Sequence, residues 1–240
     1  PSVCWATVPD EGIEPSTPLL GSNSQRNAPM FEQFLRTRLV LLLLLITSAS
    51  FAQSGAITVR FIGNCGLYMT DGVLDVYVDF PYKSGAFGYM QYPGSEIDSI
   101  KANDTHIFTH RHPDHYRKKL VKKLSGTVLG PWKVKKKRRA DLSAPAYSAA
   151  QFSVETFRTK HRFASHHYSY LITWHGKRIY LNGDTEKAET VGQVPTMDIA
   201  FVPGWIMIDA MEKNIKIDTE RFAVYHLYPN QKVTADNPKI

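Results

Sequence analysis

Residues 105–115 read Thr105-His106-Ile107-Phe108-Thr109-His110-Arg111-His112-Pro113-Asp114-His115. The first five are mostly β-branched or aromatic and predict a strand. The next six carry three imidazoles and one carboxylate, and Pro113 bars them from regular helix. Neutral imidazole and carboxylate are the side chains that hold zinc, manganese and iron. A solvated histidine-rich loop needs no companions elsewhere in the chain. A metal site needs further donors that folding brings in.

Such donors exist, each after a strand. His161 follows the strand predicted over 153–159, Asp184 follows 177–181, and His226 follows 222–225. Ends of strands are where open sheets place their chemistry. Strands are also predicted over 56–62, 67–70 and 73–79, an opening meander with turns at Gly63-Asn64-Cys65-Gly66 and Asp71-Gly72. Further strands fall at 127–129, 168–174 and 199–202, with His175-Gly176 as a tight hairpin. The spacing of Tyr116, Leu120, Val121 and Leu124 predicts an amphipathic helix over 115–124, stopped by Gly126. A short helix is expected to end near Asp218-Thr219-Glu220, and residues 82–95 read as a long loop. Strands with interspersed helices imply an α/β or α+β layered domain.

The 240 residues suit one ordinary domain, and the expected one covers 53–240. The first methionine is Met30. A basic segment with Arg36 and Arg38, an apolar run over 39–46 and small residues up to Ala52 follow it. That order reads as a secretory signal peptide over 30–52, and the run is short for a bilayer span. Residues 1–29 read as an upstream segment without periodicity, outside the native protein or disordered. The expected location is therefore periplasmic or secreted, with no stable membrane span after cleavage.

The ordered set His110, His112, Asp114, His115, His161, Asp184 and His226 resembles the metallo-β-lactamase superfamily. Residues 176–185, Gly-Lys-Arg-Ile-Tyr-Leu-Asn-Gly-Asp-Thr, are similar to the family's strand and turn before its bridging aspartate. Phe61-Ile62-Gly63-Asn64 and Val78-Asp79-Phe80-Pro81 resemble the branch that includes L-ascorbate-6-phosphate lactonase. The resemblance covers about residues 56–228. It implies a four-layer αββα sandwich and two divalent metal ions, zinc first, with manganese or iron as alternatives. His110, His112 and His161 would hold the first ion, with His166 and His167 as alternatives for the third histidine. Asp114, His115 and His226 would hold the second, and Asp184 would bridge. The implied activity is hydrolysis of a small-molecule ester, lactone, amide or phosphodiester by a metal-bridging hydroxide. Asp114 would orient that nucleophile.

Other residues carry weaker signals. Asp79 either holds a ligand imidazole by its second nitrogen or caps the turn before Pro81. His167 is expected beside the ligands rather than among them. His106 reads as a core or edge histidine, His175 as a turn residue, and Cys65 as a small buried residue. Tyr82, Phe87, Tyr89, Tyr92 and Trp205 receive no role. The net charge of +7 is local, because residues 117–139 hold eleven Lys and Arg and no acid. Lys135, Lys136, Lys137, Arg138 and Arg139 form either a solvated face or an attractor for phosphate, nucleic acid or anionic lipid. Two rival readings follow: a phosphodiesterase or nuclease that uses this segment, and a metal-binding protein without turnover. Oligomeric state is not legible in the sequence.

Overall fold

Alternating apolar positions along the strands predict faces that need partners. A computed structural model shows what covers them; it describes residues 56–131, 139–141, 146–149 and 152–231, the two short stretches by backbone alone. The expected upstream segment and signal peptide, and Lys135–Arg138 of the basic run, lie outside the described residues. Arg139 is described only as backbone in a strand.

The first sheet orders its strands β1 (Thr58–Gly63), β2 (Gly66–Thr70), β3 (Asp75–Val78), β4 (Thr105–Ile107), β5 (Thr127–Gly130) and β6 (Arg139–Asp141). Its first three strands are an antiparallel meander, and β3 to β6 run parallel. The second sheet orders β12 (Phe222–Tyr225), β11 (Ile199–Pro203), β10 (Lys177–Leu181), β9 (His167–Trp174), β8 (Phe152–Thr159) and β7 (Ala146–Ala149). Here β7 to β10 are antiparallel, and β10 to β12 are parallel.

The period of two decides the layers. Leu67, Met69, Val76, Val78, Ile107 and Leu129 of the first sheet meet Val154, Ile172, Trp174, Ile179 and Leu181 of the second in one core. Leu171, Tyr180, Ala200 and Val202 face the other way, under α3 (Ala188–Gly192) and α4 (Gly204–Glu212). Phe108 and Val128 face outward from the first sheet, under Val121 of α2 (Lys118–Val121) and Leu124. A single turn, α1 (Ser95–Asp98), lies in the long loop after β3. The described residues thus form the expected αββα order of two mixed sheets between helical layers.

Three expectations change. The helix over 115–124 is one turn, because the histidine motif has its own turn. The His115 and Tyr116 amides fold back to the His112 carbonyl (3.0 and 2.9 Å), and extended Arg117 donates its amide to Pro81 (3.0 Å). Gly126 does more than stop it: a Cβ there would sit 1.8 Å from the Asp104 carbonyl oxygen. Residues 218–220 are not the end of a helix. They run beside Met197, whose amide donates to the Asp218 carbonyl and whose carbonyl accepts from the Glu220 amide (both 2.9 Å). The helix in this region is α4, whose apolar run Trp205-Ile206-Met207-Ile208 carries no clear period.

Asp71 ties the sheets together at the end away from the histidine motif. Its Oδ1 accepts from the Val73 and Leu74 amides (2.9 and 2.8 Å), which delays β3 to Asp75. Its Oδ2 accepts from the Trp174 indole (3.1 Å) and the His175 ring (2.6 Å) of the opposite sheet. Burial pushes the carboxyl up, but the Leu74 amide, the His175 ring, and the Val73 and Trp174 donors outweigh it and hold it at about 2. A depressed carboxyl stabilises the fold above the unfolded value near 4, and that contribution disappears as pH falls toward 2. Asp71→Ala is expected to cost about 2 kcal/mol at pH 7 and much less at pH 2.5. Urea unfolding of both proteins at the two pH values checks this.

Candidate metal centre

Strand direction gathers the site. In the first sheet β1, β3 and β4 run the same way, and in the second β8, β10 and β12 do. Asn64, Asp79 and His110 follow the first three; His161, Asp184 and His226 follow the second three. His167 opens antiparallel β9 opposite Thr159, so it too reaches this edge.

Two groups of donors form there. His110, His112, His161 and Asp184 offer atoms that all lie within 4.8 Å of one another. His112 Nδ1 is 3.1 Å from His161 Nε2, and Asp184 Oδ2 is 3.4 Å from His161 Nε2 and 3.6 Å from His110 Nε2. His115, His226 and Asp184, with Cys65, form the second group. Asp184 Oδ1 is 3.1 Å from His115 Nε2 and 3.3 Å from His226 Nε2; Asp114 Oδ2 is 3.6 and 3.4 Å from the same two atoms. Asp184 therefore turns one oxygen to each group. Ligands about 2.1 Å from a tetrahedral ion stand about 3.4 Å apart, and these separations match.

Hydrogen bonds set which ring nitrogen faces inward. The Thr109 hydroxyl donates to Asp79 Oδ2 (2.7 Å), so its oxygen accepts from His110 Nδ1 (3.1 Å). His115 Nδ1 donates to the same Asp79 oxygen (2.8 Å), and His161 Nδ1 donates to Glu186 Oε1 (3.1 Å). Each bond leaves Nε2 to the centre. Asp79 thus holds a ring, and also takes the Thr109 amide (2.7 Å). His110 Nε2, His115 Nε2, His226 Nε2, Asp184 Oδ1 and Asp114 Oδ1 are buried without a hydrogen-bond partner. Buried polar atoms are rarely left so, and cations held by the two groups would answer the three imidazole nitrogens and Asp184 Oδ1.

The electrostatics agree. Burial would push the Asp184 carboxyl up, yet His115, His226 and His110 hold it well below its usual range. Burial would lower His226, but Asp184 and Asp114 raise it to about 9. His115 is raised by Asp184 and Asp79 against the same burial, while burial and His115 push His110 well down. The carboxylates thus favour positive charge on the rings around them, in the place where divalent ions would supply it.

The remaining candidates separate. His167 has both nitrogens engaged: Nε2 accepts from the Asp184 amide (2.9 Å) and Nδ1 bonds the Thr159 hydroxyl (2.5 Å). It positions Asp184, and Gly183 between them must be glycine, since a Cβ would lie 2.8 Å from that ring at φ +59°. His166 is exposed and bonds Ser165, away from the cluster. His106 is buried between Tyr77 and Phe108 and bonded to the Phe80 carbonyl (3.1 Å), and burial pushes it down to about 4. His175 bonds Asp71 at the far end. Tyr89 and Trp205 pack edge-on against His226 at 4.5 and 5.1 Å, and Tyr89 stacks on Tyr228. Phe87 is exposed, while Tyr82 and Tyr92 pack with Phe80.

Cys65 is buried as the sequence suggests, and sequence reasoning assigns no role to Asn64, Thr109 or Glu186. Asn64 Nδ2 donates to the Asp114 carbonyl (3.0 Å) and Oδ2 (3.3 Å), and its own carbonyl accepts from the His226 amide (3.0 Å). Cys65 lies beside the second group. Burial pushes its thiol well up, which is not the state of a free thiolate nucleophile.

No protein-family model matches this chain, and no curated protein matches it. Solved structures do. Igni18, a metallo hydrolase from Ignicoccus hospitalis, is similar with a TM-score of 0.54 and 14% identity over 76% of this chain and 88% of that one. The metallo-β-lactamase fold protein YhfI from Bacillus subtilis gives 0.54 and 15% over 76% and 89%. CmlA, a diiron β-hydroxylase from Streptomyces venezuelae, gives 0.51 and 11% over 76% and 48%. The chain has the metallo-β-lactamase fold.

If Asp79 orients His115 directly and His110 through Thr109, Asp79→Ala weakens divalent-cation binding at the second group by about 10–100-fold and at the first group by a smaller factor. Competition titration against a chromophoric chelator reads both affinities.

Proposed function

We propose that this protein is an exported metal-dependent hydrolase with two divalent-cation positions, acting on a small-molecule ester, lactone, amide or phosphodiester. One observation carries the reading: the Asp184 carboxylate presents one oxygen to each of two donor groups, and His110 Nε2 of the first and His115 Nε2 and His226 Nε2 of the second are buried without a hydrogen-bond partner. His110, His112 and His161 serve the first position and Asp114, His115 and His226 the second. Zinc suits these donors, and manganese and iron are compatible. Divalent ions held by these residues would supply a more acidic bound water and a Lewis acid for the oxygen of the scissile bond.

The chain's own residues do the rest. Asp79, Thr109 and Glu186 hold Nδ1 of three rings, so each Nε2 is aimed at the centre without reorganisation. Asn64 leaves Asp114 Oδ1 unpartnered, free to accept the proton of an attacking water and to orient it. Tyr89 and Trp205 wall His226 with aromatic surface, which gives a substrate an apolar face to lie on. Residues 53–240 form the working domain, and 30–52 direct export.

Purified chain is expected to carry about two divalent ions by elemental analysis. Loading should release protons, because imidazole and carboxylate bind a metal ion in their deprotonated forms. A screen of lactones, esters, amides, phosphodiesters and oligonucleotides should find a hydrolysis that His110→Ala or Asp184→Asn lowers by at least about 100-fold. Absence of metal in the wild type, or turnover indifferent to both substitutions, would overturn the proposal.

A further inference from the structure

We infer that Cys65 Sγ is itself a ligand of the second divalent-cation position, which makes that position a thiolate site. The inference rests on the two-position reading above and adds a donor that reading does not use.

Asn64 and Cys65 are the two residues between the paired ends of β1 and β2, Gly63 and Gly66. A hairpin tip normally points to water. This one is fully buried and stitched in place, by Asn64 to Asp114 on one side and to the His226 amide on the other. The result is that Cys65 Sγ lies within 4.8 Å of the donor atoms of His115, Asp184 and His226. His115 Nε2, His226 Nε2 and Asp184 Oδ1 are themselves buried and lack hydrogen-bond partners. Four donors from four loops therefore face one point. Gly63 and Gly66 let the tip enter, since a Cβ at either would press on the Tyr82 ring.

With Asp114 Oδ2, which also faces His115 and His226, the position would offer two imidazoles, two carboxylates and one sulfur, donors that zinc accepts at about 2.0–2.3 Å and with coordination up to five. On ligation the thiol gives its proton to solvent and the sulfur donates an electron pair to the ion. Sulfur is a soft ligand, so the position should prefer zinc or cobalt to manganese more strongly than an all-nitrogen-and-oxygen site does. The chain has only one other cysteine, Cys4.

Cobalt loading of the full chain tests this. The wild type and Cys4→Ser should both show a near-ultraviolet thiolate-to-cobalt charge-transfer band at the second equivalent. Cys65→Ser and Cys65→Ala should lack it and bind that equivalent at least about 10-fold more weakly, while the first stays within a fewfold. If the wild type binds two cobalt ions and shows no such band, Cys65 is only a packed thiol and the inference fails while the two-position centre stands. If it binds none, both fail. The Cys4→Ser spectrum decides even if the Cys65 variants do not fold.

Discussion

The structure depends on one constraint: a buried carboxylate, Asp184, surrounded by imidazoles. Taking these groups out of water is costly unless positive charge sits among them. Protons on His115 and His226 can supply it, and divalent ions can supply it better, since they also satisfy the unpartnered lone pairs. Everything near the edge of the two sheets follows from keeping that cluster dry and its donors aimed inward.

The aim is achieved by the nitrogens that do not face the centre. Thr109 and Asp79 fix His110 and His115, Glu186 fixes His161, and His167 holds the Asp184 backbone. Each of these bonds lies within one sheet's own loops, and other bonds join the two sheets. Thr109 and Asp79 come from the first sheet, and the Tyr168 amide of the second donates to the Thr109 carbonyl (3.2 Å). Gly183 gives the closest approach, with a Cβ there meeting both His167 and Thr109. The site and the sandwich are therefore one packing problem, and the strongest polar contacts between the sheets lie at its two ends: the donor cluster at one and Asp71 with Trp174 and His175 at the other.

Much of this was legible in the chain. Strands 177–181 and 222–225 read to the residue because their apolar runs end in turn signals, and the loop at 110–115 announced itself by composition. The helix at 115–124 was misread because a 3.6-residue spacing of Tyr116, Leu120 and Val121 says nothing of the competing turn in which His112 takes the His115 and Tyr116 amides. Helix α4 went unread because an uninterrupted apolar segment has no period that separates helix from strand. Asn64 and Cys65 looked like an ordinary turn, since burial of a hairpin tip is a long-range event.

By itself the sequence determined the donor inventory, the strand that precedes each donor, and the layered class, because these are local matters of residue type and period. The tertiary structure alone decided which histidines meet. His161 and His166 stand five residues apart with identical chemistry, yet one faces His112 and the other faces water. His167 differs again, because β9 starts there and its ring meets the Asp184 amide. Such choices are made by strand direction and sheet packing, which bring atoms 50 to 100 residues apart within a few ångströms, and no local pattern encodes them.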